Sequence, residues 1–287
     1  MIRILSLLTL LVAACSWPTE KSKAIFSDGK KLGTVPKVLE EASGLVASIS
    51  NPGYLWSHND SGNPAEVYLI DQKGSIVMTV KLAGITNRDF EDITIGPGPE
   101  QGKTYLYIAD IGDNLAVYPQ KIIYRLEEPV LEGDKKIITN EIDSLVVRLS
   151  DAVRDTETLM MDPASKDLFI ISKREDSVRL YQIQFPFESD TLLANYQYRM
   201  PFHKIVAGDI SPDGTEVLLK DYEHIYYWKK KGTESILDLL RTPPIQLPYD
   251  REPQGESICW NREATGFYTL SETVKDDRGK LIFYKRN

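Results

Sequence analysis

Five short apolar segments in this chain each open on an oxygen-bearing side chain: Ser43-Gly-Leu, Glu91-Asp-Ile, Glu157-Thr-Leu, Asp209-Ile-Ser and Glu256-Ser-Ile. Successive members stand 48, 66, 52 and 47 residues apart. Four carboxylates and a hydroxyl drawn to one place would repel one another and resist desolvation, so the pattern asks for a hard cation. Calcium suits it, because it accepts roughly six to eight oxygens at about 2.3–2.6 Å in flexible geometry. Zinc prefers nitrogen and sulfur in a tetrahedron. Ser43, Glu91, Glu157, Asp209 and Glu256 are therefore the expected calcium ligands. Two positions leave room for another choice. Glu41 could stand in for Ser43, two residues earlier on the same face of a strand, and alignment on the following turns would put Val206 in place of Asp209. Asp89 and Asp155 precede Glu91 and Glu157 by two residues and read as an outer shell.

What brings such residues together is a repeat of about fifty residues with several strands per unit, the mark of a β-propeller whose innermost strands line a channel. The strands announce themselves as Val-, Ile-, Leu-, Tyr- and Trp-rich runs bounded by Gly, Asn, Asp or Pro. Blade one is read at residues 44–49, 54–58, 66–70 and 75–82, and blade two at 92–95, 104–111, 121–126 and 143–149, with an insertion at 127–142. Blade three takes 158–161, 167–172, 177–184 and 194–200; blade four takes 209–211, 216–220, 224–229 and 244–248, with a short helix at 234–240. Blade five supplies three strands, at 257–260, 266–271 and 281–285. A ring ending there would expose an edge, so residues 24–37 are expected to pair beside the last strand. The fold expected is all-β, a single five-bladed β-propeller over 24–287 closed by an N-terminal strand in its last blade.

In a meander, the start of the first strand and the end of the second share a face. Second strands end in His58-Asn-Asp-Ser61, Asp110-Ile-Gly-Asp-Asn114, Lys173-Arg-Glu175, Lys220-Asp-Tyr222 and Ser271-Glu272, so polar groups gather at the mouth the acidic ring also faces. For a hydrolytic site the candidates are Asp110 or Asp113 as base, with Lys173 or Lys220 steadying negative charge. The same residues have plain readings as turn formers or as counter-charges to nearby carboxylates. Asn59-Asp-Ser-Gly62 and Ser211-Pro-Asp-Gly214 are good turn sequences. His58, on a strand, reads first as a packed residue. No nucleophile elbow, phosphate loop or His-x-x-x-His pattern occurs.

Residues 1–14 form a short apolar run after Arg3, too short to span a bilayer, and read as a secretory signal. Its end, Val12-Ala-Ala-Cys15, resembles the lipobox of bacterial lipoproteins. That resemblance implies cleavage before Cys15, lipidation of Cys15, a polar tether over 15–23, and a place in the cell envelope, with Ser16 favouring the outer membrane. Loss of Arg3 leaves 33 basic against 42 acidic residues, a charge of −9, which argues against nucleic acid or anionic lipid as partner. With Cys259 the sole remaining cysteine, no disulfide is expected in the mature domain.

Asn-Asp-Ser-Gly at 59–62, Asp-x-Glu-Asp-Ile at 89–93, Ala-Asp-Ile-Gly-Asp-Asn at 109–114 and Asp-Ile-Ser-Pro-Asp-Gly at 209–214 resemble a group of secreted bacterial propeller proteins of uncharacterised activity, over most of residues 38–273. More distantly, Ser43, Glu91, Glu157 and Glu256 look like the serine and glutamate ring of the five-bladed calcium-activated nucleotidases, which implies one central calcium. Asp209 departs from that pattern, and their substrate-binding residues find no match. The strand heads carry none of the asparagines of propeller lactonases.

The chain thus reads as a lipid-anchored, calcium-holding propeller, monomeric, touching the membrane through its lipid only. As an enzyme it would hydrolyse phosphate esters of a small anionic ligand. The rival is a binding module for a glycan, peptide or envelope partner whose metal only pins the blades. A third reading is a scaffold without metal.

Overall fold

A computed structural model describes residues 25–133 and 135–287. The signal, Cys15 and the tether lie outside the described residues.

After a strand β1 (Lys30–Thr34), the chain makes one antiparallel meander after another. The first comprises β2 (Ala42–Ala47), β3 (Leu55–Asn59), β4 (Glu66–Ile70) and β5 (Ile76–Leu82). Next come β6 (Phe90–Pro97), β7 (Thr104–Asp110) and β8 (Lys121–Glu127), then β9 (Lys136–Thr139) and β10 (Asp143–Leu149). The following meander is β11 (Thr156–Met161), β12 (Leu168–Ser172), β13 (Arg179–Ile183) and β14 (Leu192–Arg199). After it stand β15 (Ala207–Ile210), β16 (Glu216–Lys220), β17 (Ile225–Lys229), a one-turn helix at Ile236–Leu240, and β18 (Ile245–Leu247). Last are β19 (Gly255–Trp260), β20 (Gly266–Ser271) and β21 (Lys280–Lys285).

The inner strands of each sheet are buried on both faces, which is why they are apolar almost without a break, while the outer strands β9, β10 and β14 expose many of their residues. Leu106 and Ile108 of β7 pack back against Trp56, Val67 and Leu69, while Tyr105 and Tyr107 pack forward against Leu168, Ile170 and Tyr181. Phe169 and Ile171 then meet Val217, Leu219 and Trp228. Leu218 and Tyr227 meet Trp260 and Phe267. Finally Tyr268 and Leu270 meet Leu45, Leu55 and Tyr68, so the last meander packs on the first. Strands β2, β6, β11, β15 and β19 neighbour one another in that cyclic order, β19 returning to β2. This closed arrangement is a β-propeller.

Two departures from a plain meander shape the rim. Residues 127–142, read from sequence as an insertion, cross to the first meander, where β9 adds to β5 in parallel. Glu128 guides the crossing. Its buried carboxylate accepts hydrogen bonds from the Trp56 indole at 2.9 Å and the Ser50 amide at 2.8 Å. The second departure is a parallel pairing of β10 with β14, which fuses two meanders into one eight-stranded sheet.

The N-terminal strand pairs where sequence placed it. β1 lies antiparallel on β21, with Lys30 opposite Phe283 and Thr34 opposite Lys280. Phe26 extends this clasp through a bridge to Arg286 and buries its ring against Tyr227, Trp260 and Phe267. Gly33 is required on β1, because a Cβ there would sit 1.9 Å from the Lys73 carbonyl oxygen. Lys73 belongs to the Asp71–Gly74 turn of the first meander, whose Gly74 adopts φ +81°. The clasp therefore touches the first meander as well as the last. Deleting residues 24–37 removes the buried Phe26 and Val35 side chains and bares an edge. The melting temperature should fall by on the order of 10 °C or more. An unchanged melt would mean that the ring closes without the clasp.

Candidate functional site: an acidic mouth

The ring residues reach the axis through a local irregularity. In β2, β6, β11 and β19 the pairing with the next strand slips near the start, at residues 42–45, 90–92, 156–158 and 255–257. Each slip is a β-bulge, which leaves extra residues unpaired and re-aims their side chains. The residues inside the bulges include Ser43, Glu91, Glu157 and Glu256. All four are buried.

β15 has no such slip, and its Asp209 is consequently not a ring member. Asp209 pairs with Leu218 inside the regular ladder, deeper than the bulge positions. Its carboxylate accepts the Trp260 amide at 2.8 Å and the Ile210 amide at 2.9 Å, clipping β15 to β19. Asp92 does the same two units earlier, accepting the Leu159 and Ile93 amides at 2.9 and 2.8 Å and clipping β6 to β11. Burial raises both carboxyls, Asp209 to about 7. Val206, the alternative, offers no oxygen ligand from its side chain. Its amide donates to the Lys220 carbonyl at 2.9 Å.

Around the bulges stand carboxylates from the ends of the second strands and from the residues before the first ones. Asp60, Glu256 and Glu272 present oxygens within 4.8 Å of one another, and so do Asp60, Asp89 and Glu91, and Glu91, Asp155 and Glu157. Asp60 and Glu91 each belong to two of these groups, so the groups form one continuous chain of oxygens. Ser43 sits behind it with its hydroxyl donating to the Glu91 carbonyl at 2.7 Å. Of these positions Asp60 was hidden in a turn motif, and Asp89 and Asp155 had the role of an outer shell.

Cations answer only part of this charge. Lys173 Nζ lies 2.7 Å from Glu157, and Arg174 Nε lies 2.6 Å from Asp155. Asp60, Asp89, Glu91, Glu256 and Glu272 make no ion pair among the described residues. The meander without a bulge fills its sector with Tyr222, whose hydroxyl donates to Glu256 and whose ring lies 5.6 Å from Lys173 Nζ. Burial opposes the Lys173 ammonium, but Glu157 and Glu256 outweigh it and raise its pKa. Burial also holds protons on the acids, lifting Asp60 to about 6, Glu157 to about 7 and Glu272 to about 8, with neighbouring carboxylates adding to the rise at Asp60 and Glu272. Glu91 is raised by the same desolvation and by Glu157.

The donor set is all oxygen, which fits calcium or magnesium and not zinc. Two oxygens on one calcium ion are separated by at most about 5 Å. The 4.8 Å groupings meet that limit.

The expected catalytic residues fare unevenly. Asp110 is buried behind the mouth, where it accepts the Asp89 amide at 3.0 Å and faces Arg88 at 3.5 Å. Asp113 is fully committed: its carboxylate accepts the Val117 and Tyr118 amides, each at 2.8 Å, and Lys121 Nζ at 2.9 Å. Those bonds outweigh its burial and hold the carboxyl below the usual range, which leaves it a poor base. Lys220 is buried, donates to the Gly255 and Asp221 carbonyls, and lies 4.8 Å from the Tyr249 ring. Burial lowers its pKa to about 8. It braces the strand that carries Glu256, its charge shared among Glu252, Asp221 and Glu256, and it pairs directly with none of the mouth's carboxylates. Lys173 is the one expected cation that reaches the ring. His58 is buried against Phe90, as its plain reading had it, and burial lowers its pKa to about 4. The loop ordered by Asp113 carries a further feature, three exposed apolar side chains, Leu115, Val117 and Tyr118.

No protein-family model matches the chain, and no curated protein does. Among solved structures, the chain is similar to one described as the structure of the Dos1 propeller, at 11% identity and a TM-score of 0.40, over 85% of this chain and 68% of that one. That likeness is too slight to carry function.

Proposed function

We propose that this protein is a five-bladed propeller that holds calcium in its acidic mouth and works in the cell envelope, tethered through lipidated Cys15. The observation that carries the reading is the continuous chain of carboxylates drawn from four blades, five of them without a cation of their own among the described residues. Glu91, Glu157, Glu256 and Asp60 would hold the ion, with Asp89, Asp155 and Glu272 around them and Ser43 behind. Bound there, calcium would supply positive charge and open coordination positions to a ligand's oxygens. Lys173 would lend a second positive charge to an anionic ligand.

The geometry favours calcium-dependent recognition over hydrolysis of a phosphate ester. Asp113 and Lys220 are engaged elsewhere, while Leu115, Val117 and Tyr118 offer an apolar contact beside the mouth. For hydrolysis, Asp110 and Lys173 remain the candidates. The test is thermal melting of the protein after EDTA, then with calcium or magnesium restored. Free calcium at about a thousand times its dissociation constant should add about 4 kcal/mol of stability. In E91Q/E157Q the gain should vanish. A melt indifferent to either metal, with none found by elemental analysis, would sink the calcium site.

A further inference from the structure

Away from the mouth, a groove of about 640 Å³ opens between the first meander and the clasp. Its floor is the outer strands of the first sheet, on the face turned toward the clasp. There the pairing sets Glu66 and Tyr68 of β4 opposite Lys81 and Thr79 of β5, and Thr79 and Lys81 beside Lys136 and Ile138 of β9. Its wall includes Pro36 and Val38, which follow β1, and Arg278 from the turn before β21. Lys81, Lys136 and Arg278 are exposed, and none makes an ion pair among the described residues. Against these three cations the groove has one carboxylate, Glu66, already accepting the Tyr68 hydroxyl at 2.9 Å. Ile138 is 73% exposed and Val38 55%. The chain carries a net charge of −8, so this basic groove edged by bare aliphatic side chains runs against its overall balance.

We propose that this groove is a docking surface for the anionic headgroups of a phospholipid bilayer, a second membrane contact beyond any lipid on the N-terminus. Phosphate oxygens would lie between Lys81, Lys136 and Arg278, and Val38 and Ile138 would enter the apolar boundary beneath the headgroups. Charge complementarity selects this occupant. An apolar peptide would leave three ammonium and guanidinium groups unanswered, and a zwitterionic lipid surface offers them no net attraction. The local basic patch also qualifies the expectation, drawn from total charge, that anionic lipid would be avoided.

The experiment is flotation of the full chain carrying C15S, so that no acyl chain contributes, with vesicles of phosphatidylcholine alone or with one third phosphatidylglycerol. Binding is expected to the anionic vesicles and to be lost in high salt. The triple variant K81Q/K136Q/R278Q should bind on the order of 100-fold more weakly, from the worth of each basic residue near such a surface. Its melting temperature should match the parent, because all three side chains are exposed. Equal binding of parent and variant, or equal binding to neutral vesicles, would overturn the proposal. So would loss of vesicle binding in millimolar inorganic phosphate at constant ionic strength, which would assign the groove to a soluble phosphate compound. Capture of an acidic protein without any vesicle binding would likewise overturn it. None of these outcomes depends on calcium in the mouth.

Discussion

Replacing Asp113 by alanine is expected to destabilise the protein by about 3–5 kcal/mol, the cost of leaving a buried charge without its partner. The charge is Lys121, whose side chain is as inaccessible as that of Asp113 and whose ammonium lies 2.9 Å from it. Burial pulls the Lys121 pKa down even with the carboxylate present. The same substitution frees the Val117 and Tyr118 amides and loosens the loop between β7 and β8, whose Asp113 amide donates to Asp155 at 2.8 Å. Urea titration measures the loss. Adding K121M to D113A removes the stranded charge and should recover much of the stability, a coupling that a double-mutant cycle reads directly. Were Asp113 a solvent-facing general base, D113A would abolish turnover and leave the urea midpoint in place. That outcome would overturn the structural role given to it here.

Without metal, stability is expected to fall as pH rises from about 6.5 to 8, and calcium is expected to reverse the fall. Glu157 and Glu272 hold their protons to about 7 and 8 in the folded state, because burial penalises their charged forms. In the unfolded chain both are ionised above about 5. The native state therefore binds more protons across this window, and the unfolding free energy declines as they are lost. His58, lowered to about 4 by burial, acts in the opposite sense but only below its unfolded value near 6.5. Lys220, lowered to about 8 by burial, loses its proton around the top of the window while the unfolded lysine keeps its own, so it partly offsets the fall near pH 8. Calcium requires the deprotonated carboxylates, so its binding should tighten over the same interval and release protons. Melting temperatures in EDTA and in calcium should diverge as pH rises. Curves that stay parallel from pH 6.5 to 8 would show that these acids do not hold the ion.

The inner strands were legible because burial on both faces makes them near-continuous apolar runs, and an outer one such as Asp143–Leu149 because apolar and polar residues alternate along it. Glu66–Ile70, Asp143–Leu149, Glu216–Lys220 and Gly266–Ser271 begin and end where the sequence pattern places them. The clasp followed from counting strands. Less legible were features decided by pairing register. Asp209 stands at an apolar strand like its counterparts, yet a missing bulge turns it from ring member to clip, and nothing in Gly208-Asp-Ile210 announces that. Residues 127–142 looked like an insertion because β9 belongs to a sheet whose other strands ended at Leu82. Lys220 occupies the same turn position as Lys173, but one side chain runs under Gly255 and the other to Glu157. Asp60 was masked by a motif that predicts a turn correctly and says nothing of what the turn faces.

Residues near the two ends of the described chain lie side by side: Ser27 donates its amide to the Lys285 carbonyl at 2.8 Å, and the Asn287 amide reaches Ile25 at 3.0 Å. Because β1 and β21 run antiparallel, a pull on residue 25 away from the body loads their hydrogen bonds one at a time, as a zipper, and not all together. The pairing that closes the ring is thus a seam that yields to force bond by bond. A protein dragged by its N-terminus would peel open at the clasp, beside the basic groove, before the acidic mouth felt any strain.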